Sequence, residues 1–339
     1  MTRVVPGRER IQEPVRDGRL PGRARLRPGA GPILVAGGAN LDRVAKAAGP
    51  VAMGSSNPVT VRESLGGVAR NVAENLVRLG LPVRLMTVVG DDPQGAALLE
   101  QARALGIDTS PTLAVPGCPT GTYTALLQPD GEMVLAMADM GVMDHFTMEA
   151  LQERRSHWAS TRRRVLDGNL PPEVLAALVE DSRERGAMLA LVAVSEPKMG
   201  RLPRDLRGVT VLILNAGELA ARVARPLPDL EAVLAACRRV QAQGVQGLVV
   251  TLGPEGVLCV PGTGEPRHFP APGTEIVDVT GAGDAFSAGV VAGLAQVPGD
   301  LPHACRLGQK LAAITLGSRS SVAPSLTPDL LRPEEDPES

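Results

Sequence analysis

Short apolar runs alternate with amphipathic stretches along most of this 339-residue chain. That alternation restricts its fold more than any other feature. "PILVAGGANLD" is an apolar run ending in glycines, with Asn40 and Asp42 beyond its tip. "GGVARNVAENLVRLG" then places Val68, Val72, Leu76 and Leu79 on one helical face, closed by Gly80. The strand-like "PVRLMTVVG" precedes "PQGAALLEQARALG", a helix with Pro near its start and Gly at its end. The pattern resumes in "RRVLDGN", "PPEVLAALVEDSRERG", "AMLALVAVS", "VTVLILN", "DLEAVLAACRRVQAQG" and "GLVVTLG". Such recurrence predicts an α/β fold, a doubly wound and mostly parallel sheet flanked by helices. With aromatics at only 1%, its core must be built from Leu, Val, Ala and Met, which suits strands buried on both faces.

One stretch breaks the alternation. "GTYTALLQPDGEMVLAM" reads as two strands joined at Pro129-Asp130-Gly131. Residues 43–64 lack helical periodicity and are expected to pair with it. The result is either a small β-sheet lid, drawn from about 43–64 and 112–138, or a plain surface hairpin.

A formal net charge of −2 argues against a general nucleic-acid or membrane-surface binder. Four cysteines and four histidines are scattered without metal-ligand spacing, so reduced thiols and ordinary histidines are expected. No apolar run reaches the ~18 residues of a membrane span, and no signal-peptide pattern opens the chain. A cytoplasmic location is the expectation. Residues 1–31, rich in Arg, Gly and Pro, read as a flexible extension. An RNA-contacting arm or a transit peptide are the alternatives, although Glu9, Glu13 and Asp17 interrupt the positive charge. An acidic tail is expected over 328–339.

"IVDVTGAGDAFSAGVVAGLA", residues 276–295, begins like a buried strand and ends like a helix. An acid at a helix start can be an N-cap, but that leaves the glycines unexplained. Glycines let backbone N–H groups close on an external anion such as a phosphate. Asp284 beside a phosphate makes sense as a general base for a hydroxyl attacking phosphorus, with amides around Gly281–Gly283 stabilising the transferred charge.

The combination "GGVARNVAENLVRLG", "VVGDDPQG", "LNAGE", "TLGPEG" and "DVTGAGDAFSAG", in this order, resembles the ribokinase/PfkB family of sugar and nucleoside kinases. The resemblance covers residues 32–327. It implies a doubly wound sheet with a β lid, and transfer of the γ-phosphate of ATP to an alcohol. It makes Asp284 the catalytic base and places Gly281, Ala282 and Gly283 around the anion. It makes Asn215 and Glu218 organisers of magnesium through waters, as suits a hard cation. Asp278 becomes a candidate ligand for a monovalent cation such as potassium. Thr251, Gly253 and Gly256 match the nucleotide loop, while Asn40, Asp42, Gly66, Gly67 and Asn71 match acceptor-binding positions. Left to itself, Asn71 also reads as a mid-helix residue facing solvent. The family resemblance further implies a homodimer formed through the lid.

Within the family, several stretches resemble the pseudouridine kinases. These are "VAGGANLD", "SNPVTVRESLGGVARNVAENLVRLG", "TGTYTALLQPDGEMVLAMADM", "LDGNL" and "VSEPK". On that resemblance the acceptor is a nucleoside, its base edge read by Asp139 and Asn169. The same resemblance implies a pseudouridine-5′-phosphate glycosidase as functional neighbour. Lys198 either neutralises phosphate charge on the nucleotide side or is a solvated loop lysine. One departure stands out. Val192-Ala193 replaces an acid-proline pair, removing an acid from the metal or acceptor region. Other acceptors (ribose, adenosine), a catalytically weak nucleotide-binding regulator and an RNA binder remain as alternative readings.

Overall fold

Four- and five-residue apolar runs with no polar alternation are satisfied only by burial on both faces, and in this chain they form one central sheet. The computed structural model describes residues 31–332; the remainder of the Arg/Gly/Pro-rich stretch and the acidic end from 333 lie outside the described residues. The chain begins with β1 (Ile33–Ala36), β2 (Asn40–Ala47), β3 (Val59–Gly66), α1 (Val68–Arg78), β4 (Val83–Met86) and β5 (Val88–Gly90). It continues through α2 (Pro93–Ala104), β6 (Leu113–Val115), β7 (Thr122–Leu127), β8 (Met133–Asp139), α3 (Met148–Glu153) and α4 (Arg155–Trp158). Next come β9 (Arg163–Asp167), α5 (Pro172–Arg185), β10 (Met188–Val192), β11 (Val211–Asn215), α6 (Ala216–Val223) and α7 (Leu230–Gln241). The last elements are β12 (Gly247–Thr251), β13 (Val257–Val260), β14 (Arg267–Phe269), α8 (Ala282–Gln296) and α9 (Leu301–Leu316).

The central sheet runs β14-β13-β12-β11-β10-β9-β1-β4. Strands β4 through β12 in that order are parallel, and β13 and β14 add antiparallel at the edge. Strand alternation sorts its side chains into two cores. Ile33 and Val35 pack with α1, α8 and α9, whereas Leu34 and Ala36 pack with α5 and α7. Helix α8 is buried from Ala285 to Leu294. Its small residues explain how: a Cβ at Gly289 would meet the Gly308 backbone, and one at Gly293 the Ala304 backbone. With little side-chain bulk, α8 packs into the layer and presents its N-terminus at the end of the sheet.

A separate four-stranded sheet runs β3-β2-β7-β8, with β2 and β7 parallel and the two outer pairs antiparallel. The turn between β7 and β8 uses Gly131 at φ 98°, a conformation that favours glycine. Residues 43–64 enter this sheet through β2 and β3. From the second expected segment, β7 and β8 belong to it, but Leu113–Val115 pairs with β5 instead. Register places Asp42, Val44, Arg62, Ser64 and Tyr123 on one face, and Val59, Val61 and Met137 on the other. The packed chain also extends past the expected boundary at 327, since Leu331 is buried and its carbonyl accepts from Gln296 Nε2.

Candidate active site

Open α/β sheets bind ligands where strand order reverses, beyond the carboxyl ends of the strands. Here that point lies between β1, whose next strand in the sheet by sequence is β4, and β9 on its other side. Gly37 and Gly38 follow β1, and side chains there would overlap Asp167 at the end of β9 and Asn169 just beyond it. Their absence lets Gly38 N–H donate to Asp167 Oδ2 at 3.0 Å, while Asn169 N–H donates to Asp167 Oδ1 at 2.7 Å. Burial raises the Asp167 carboxyl above its ordinary range against these bonds and the nearby Lys198. Lys198 Nζ donates to Asn169 Oδ1. Burial depresses this ammonium against the pull of Asp167. The contact places Lys198 beside Asn169, and Arg201 Nη1 of the same short segment, Glu196–Arg201, donates to the Asn169 carbonyl at 3.2 Å.

A second group comes from β2 and α1. Asn40 Nδ2 donates to Asp42 Oδ1 at 2.6 Å, and burial raises the Asp42 carboxyl against that bond and Arg70. A Cβ at Gly66 would overlap the Asp42 carboxylate. Gly67, at φ 97°, has no room for one against Gly38 and Ala39. The double glycine thus brings the start of α1 against the β1–β2 connection, with Asn71 in the first turns. Asn71 is buried, so the solvent-facing reading does not apply. Its Nδ2 donates to Asp284 Oδ2 at 2.7 Å, and its Oδ1 accepts from Arg70 Nη1 at 2.9 Å. Arg70, also buried, is held by Glu74, by Gln101 Oε1 at 2.9 Å and by the Leu65 carbonyl at 2.9 Å.

Asp284 is the third residue of α8, and the cap is Gly281, which makes no side-chain capping bond. The N-cap reading of Asp284 therefore fails. The two glycines have different jobs. Gly281, at φ 80°, presses so closely on the Ser321 carbonyl that any side chain would overlap it, whereas Gly283 faces open space. Among the described residues, the N–H groups of Gly281, Gly283 and Asp284 have no hydrogen-bond partner. Burial, with Asp167 and Asp42 close by, pushes the Asp284 carboxyl up to about 7, against the Asn71 hydrogen bond and Arg70. Ala282 N–H, by contrast, turns inward to the Val279 carbonyl at 3.3 Å.

The expected buried strand before this turn is absent. Ile276, Val277 and Val279 lie in a loop and are exposed, at 63%, 48% and 67%. Val277 N–H bonds the Leu316 carbonyl at 2.8 Å, so the end of α9, not a neighbouring strand, anchors the segment. Asp278 Oδ1 accepts from Thr280 N–H at 2.9 Å, and its Oδ2 lies 3.2 Å from Arg62 Nη2 of β3.

Asn215 ends β11 beside Thr251, its register partner at the end of β12. Asn215 caps α6 in a reciprocal box: Glu218 N–H donates to Asn215 Oδ1 and Asn215 N–H to Glu218 Oε2, both at 2.8 Å. Burial and the adjacent Glu196 raise the Glu218 carboxyl, against the Asn215 amide. The Glu196 carboxylate lies over the same first turn, where a Cβ at Gly217 would touch it. Gly253, at φ 61°, opens onto free space, but Gly256 packs against the Phe269 carbonyl, so its glycine is required by packing. Asp139 is not part of the cluster. Register turns it to the face opposite Asp42, where its Oδ1 accepts from Gly141 N–H at 3.3 Å.

No group of three or more His, Cys, Asp or Glu among the described residues forms a metal cage. Glu218, Asn215 and Glu196 instead offer a few oxygens around one helix start. That donor set suits magnesium, which keeps most of its waters and binds through one or two carboxylates plus phosphates. At Asp278 each carboxylate oxygen already accepts one bond, Oδ1 from Thr280 N–H and Oδ2 from Arg62, so a monovalent cation there would share the carboxylate with a guanidinium.

Arg70 and Glu196 did not stand out as site residues in the sequence; a basic residue soon after the double glycine of "GGVARNVA" was the available signal for Arg70. No helix among the described residues is long and apolar enough to cross a membrane. The chain is 31% identical over 319 residues to a protein of Escherichia coli (strain K12) named uncharacterized sugar kinase YeiI, covering 94% of this chain and 87% of that one. It is 30% identical over 258 residues to the pseudouridine kinase of the same strain, covering 76% and 82%. Arabidopsis thaliana ribokinase, in a structure complexed with ribose and ATP, superposes with a TM-score of 0.77 at 21% identity, covering 90% of this chain and all of that one, 100%. The model of the pfkB family carbohydrate kinases matches residues 32–328, and the chain belongs to that family of kinases.

Proposed function

We propose that the chain transfers the γ-phosphoryl group of ATP to the 5′-hydroxyl of pseudouridine. The observation that carries this reading is the buried Asp284 carboxyl, pushed up to about 7, in the same helix start as the open N–H groups of Gly281, Gly283 and Asp284 itself. A base with a value near the working pH is suited to take a proton from an attacking hydroxyl. The acceptor oxygen then bonds to phosphorus as the bond from phosphorus to the ADP oxygen breaks. The proton goes to Asp284 Oδ1, because Oδ2 is engaged by Asn71. The N–H groups of Gly281, Gly283 and Asp284 hold the charge on the transferred group. Magnesium, when bound with the nucleotide, offsets phosphate charge; Glu218, Asn215 and Glu196 are the residues that would hold its waters.

The polar floor of Asn40, Asp42, Asp167 and Asn169 suits ribose hydroxyls. Asn169 with Lys198 offers donors to a base carbonyl, which supports a nucleoside over a free sugar. Similarity to the pseudouridine kinase supports the same choice. A second reading, another sugar or nucleoside as acceptor, is favoured by the similarity to YeiI and by Val192-Ala193 in place of the acid-proline pair. We place the reaction in the cytoplasm, with a pseudouridine-5′-phosphate glycosidase as functional neighbour. Exposed Val59, Val61 and Met137 on the outer face of the small sheet support a homodimer through that lid.

The test is ATP-dependent phosphorylation across pseudouridine, uridine, adenosine and ribose. Pseudouridine offers a second ring N–H that uridine lacks, and a site hydrogen-bonded to it discriminates by several powers of ten. Equal kcat/KM for pseudouridine and uridine removes the acceptor assignment and leaves the kinase.

A further inference from the structure

Arg62 stands on the face of the small sheet that carries Asp42, since its register partner Val44 lies two residues beyond Asp42. From there it crosses to Asp278, 216 residues away in sequence, and pairs with Oδ2 at 3.2 Å. Asp278 sits at the entrance to the phosphate-facing turn. Partial burial favours its neutral form, but Thr280 and Arg62 outweigh this and hold its carboxyl below the usual carboxylate range. Its other oxygen fixes Thr280 N–H at 2.9 Å, one residue before Gly281. The segment carries exposed Ile276, Val277 and Val279 and no strand pairing. Its geometry therefore rests on the α9 anchor, the Ser321 contact and Asp278.

We propose that Arg62 is a positioning residue for phosphoryl transfer, taking the charge-partner role at Asp278 that a monovalent cation would otherwise fill. The inference rests on the phosphotransfer reading above. Arg62 orients Asp278, Asp278 orients Thr280, and the Gly281–Asp284 amides follow. A guanidinium supplied by the small sheet makes the turn depend on where that sheet lies. A cation at the same carboxylate would have to bind against the repulsion of a guanidinium already paired with Oδ2. Turnover is accordingly independent of potassium.

The full chain and its Arg62→Ala, Arg62→Lys and Asp278→Asn variants are assayed in sodium, potassium and tetramethylammonium chloride at one ionic strength. Hydrogen–deuterium exchange over residues 276–284 is measured in parallel without substrate. The unaltered chain is expected to vary by less than about twofold among the salts. Arg62→Ala should lower kcat roughly 10- to 100-fold with little change in acceptor KM, the effect of a displaced reacting group. It should also speed exchange in the turn, as should Asp278→Asn, and Arg62→Lys should restore most of both losses. Activation of the unaltered chain tenfold by potassium, or unchanged exchange in Arg62→Ala, overturns the assignment. If the unaltered chain phosphorylates no acceptor, the kinase reading fails separately, and the exchange measurement still decides whether Arg62 holds the turn.

Discussion

Arg70 decides which end of Asn71 meets Asp284. A guanidinium can only donate, so Arg70 Nη1 claims Asn71 Oδ1 and leaves Nδ2 for the carboxylate. Arg70→Met removes that constraint together with a positive charge that favours ionised Asp284. We expect kcat to fall roughly 10- to 100-fold, and the acidic limb of the pH–rate profile to move upward from about 7. Profiles of both proteins check this. A limb that stays in place means that Arg70 serves packing alone.

Asp284→Asn should leave ATP binding largely intact while cutting turnover by roughly 10²–10⁴-fold, the usual worth of a general base. Calorimetric titration of the nucleotide and single-turnover transfer separate the two effects. Near-normal transfer would remove Asp284 from the chemistry.

The same carboxyl also affects stability. Its folded value of about 7 lies above the ordinary aspartate value of 3.8, so from about pH 4 to 7 the folded chain holds a proton that the unfolded chain has lost. Its stabilising contribution is full below the unfolded value and disappears as pH rises through 7. Asp284→Asn does not titrate. The variant should therefore gain about 2–5 °C in Tm relative to the unaltered chain between pH 5 and pH 8. A Tm difference independent of pH contradicts a raised carboxyl.

Glu218→Gln tests the metal assignment without dismantling the cap, because a glutamine can close the same reciprocal box. The magnesium concentration for half-maximal turnover should rise about tenfold, with acceptor KM changing by less than about twofold. Equal loss at every magnesium concentration points to the helix start instead. Glu218→Ala is the contrast, since losing the reciprocal box should also cost about 1 kcal/mol of stability.

Val61→Asp, on the exposed outer face of the small sheet, should convert a dimer to monomers in sedimentation equilibrium. An unaltered chain that already sediments as a monomer at assay concentration removes the lid dimer.

The sheet and the Asp284 turn were legible because both depend on local rules. Apolar runs such as "VLILN" have only a buried parallel sheet to enter, and the "GAGD" turn starts on Gly281, whose φ of 80° favours glycine. Ile276–Val279 misled for a related reason. Its apolar pattern suits a strand, but the backbone N–H groups of Val277 and Asp278 both go to the Leu316 carbonyl, so the end of α9 takes the bonds that a neighbouring strand would have made. Asp139 was expected to read the base edge, but strand pairing sets it on the face opposite Asp42, a placement that only the assembled sheet defines. Arg62 was not legible as a site residue because its partner Asp278 lies 216 residues away, and Arg70 because it meets Asp284 only through Asn71. Pairing at such separations is created only by folding.

The contact between Gly281 and the Ser321 carbonyl means that the phosphate turn has its backing in chain that follows every strand and every long helix. Ser321 contributes no side chain to the chemistry, and nothing in its sequence context marks it. A chain trimmed just after α9 would retain all the acids and amides of the site, yet lose the wall against which the turn is cast. Such a chain would fail like a mould with its back cut away: every feature present, and none held to shape.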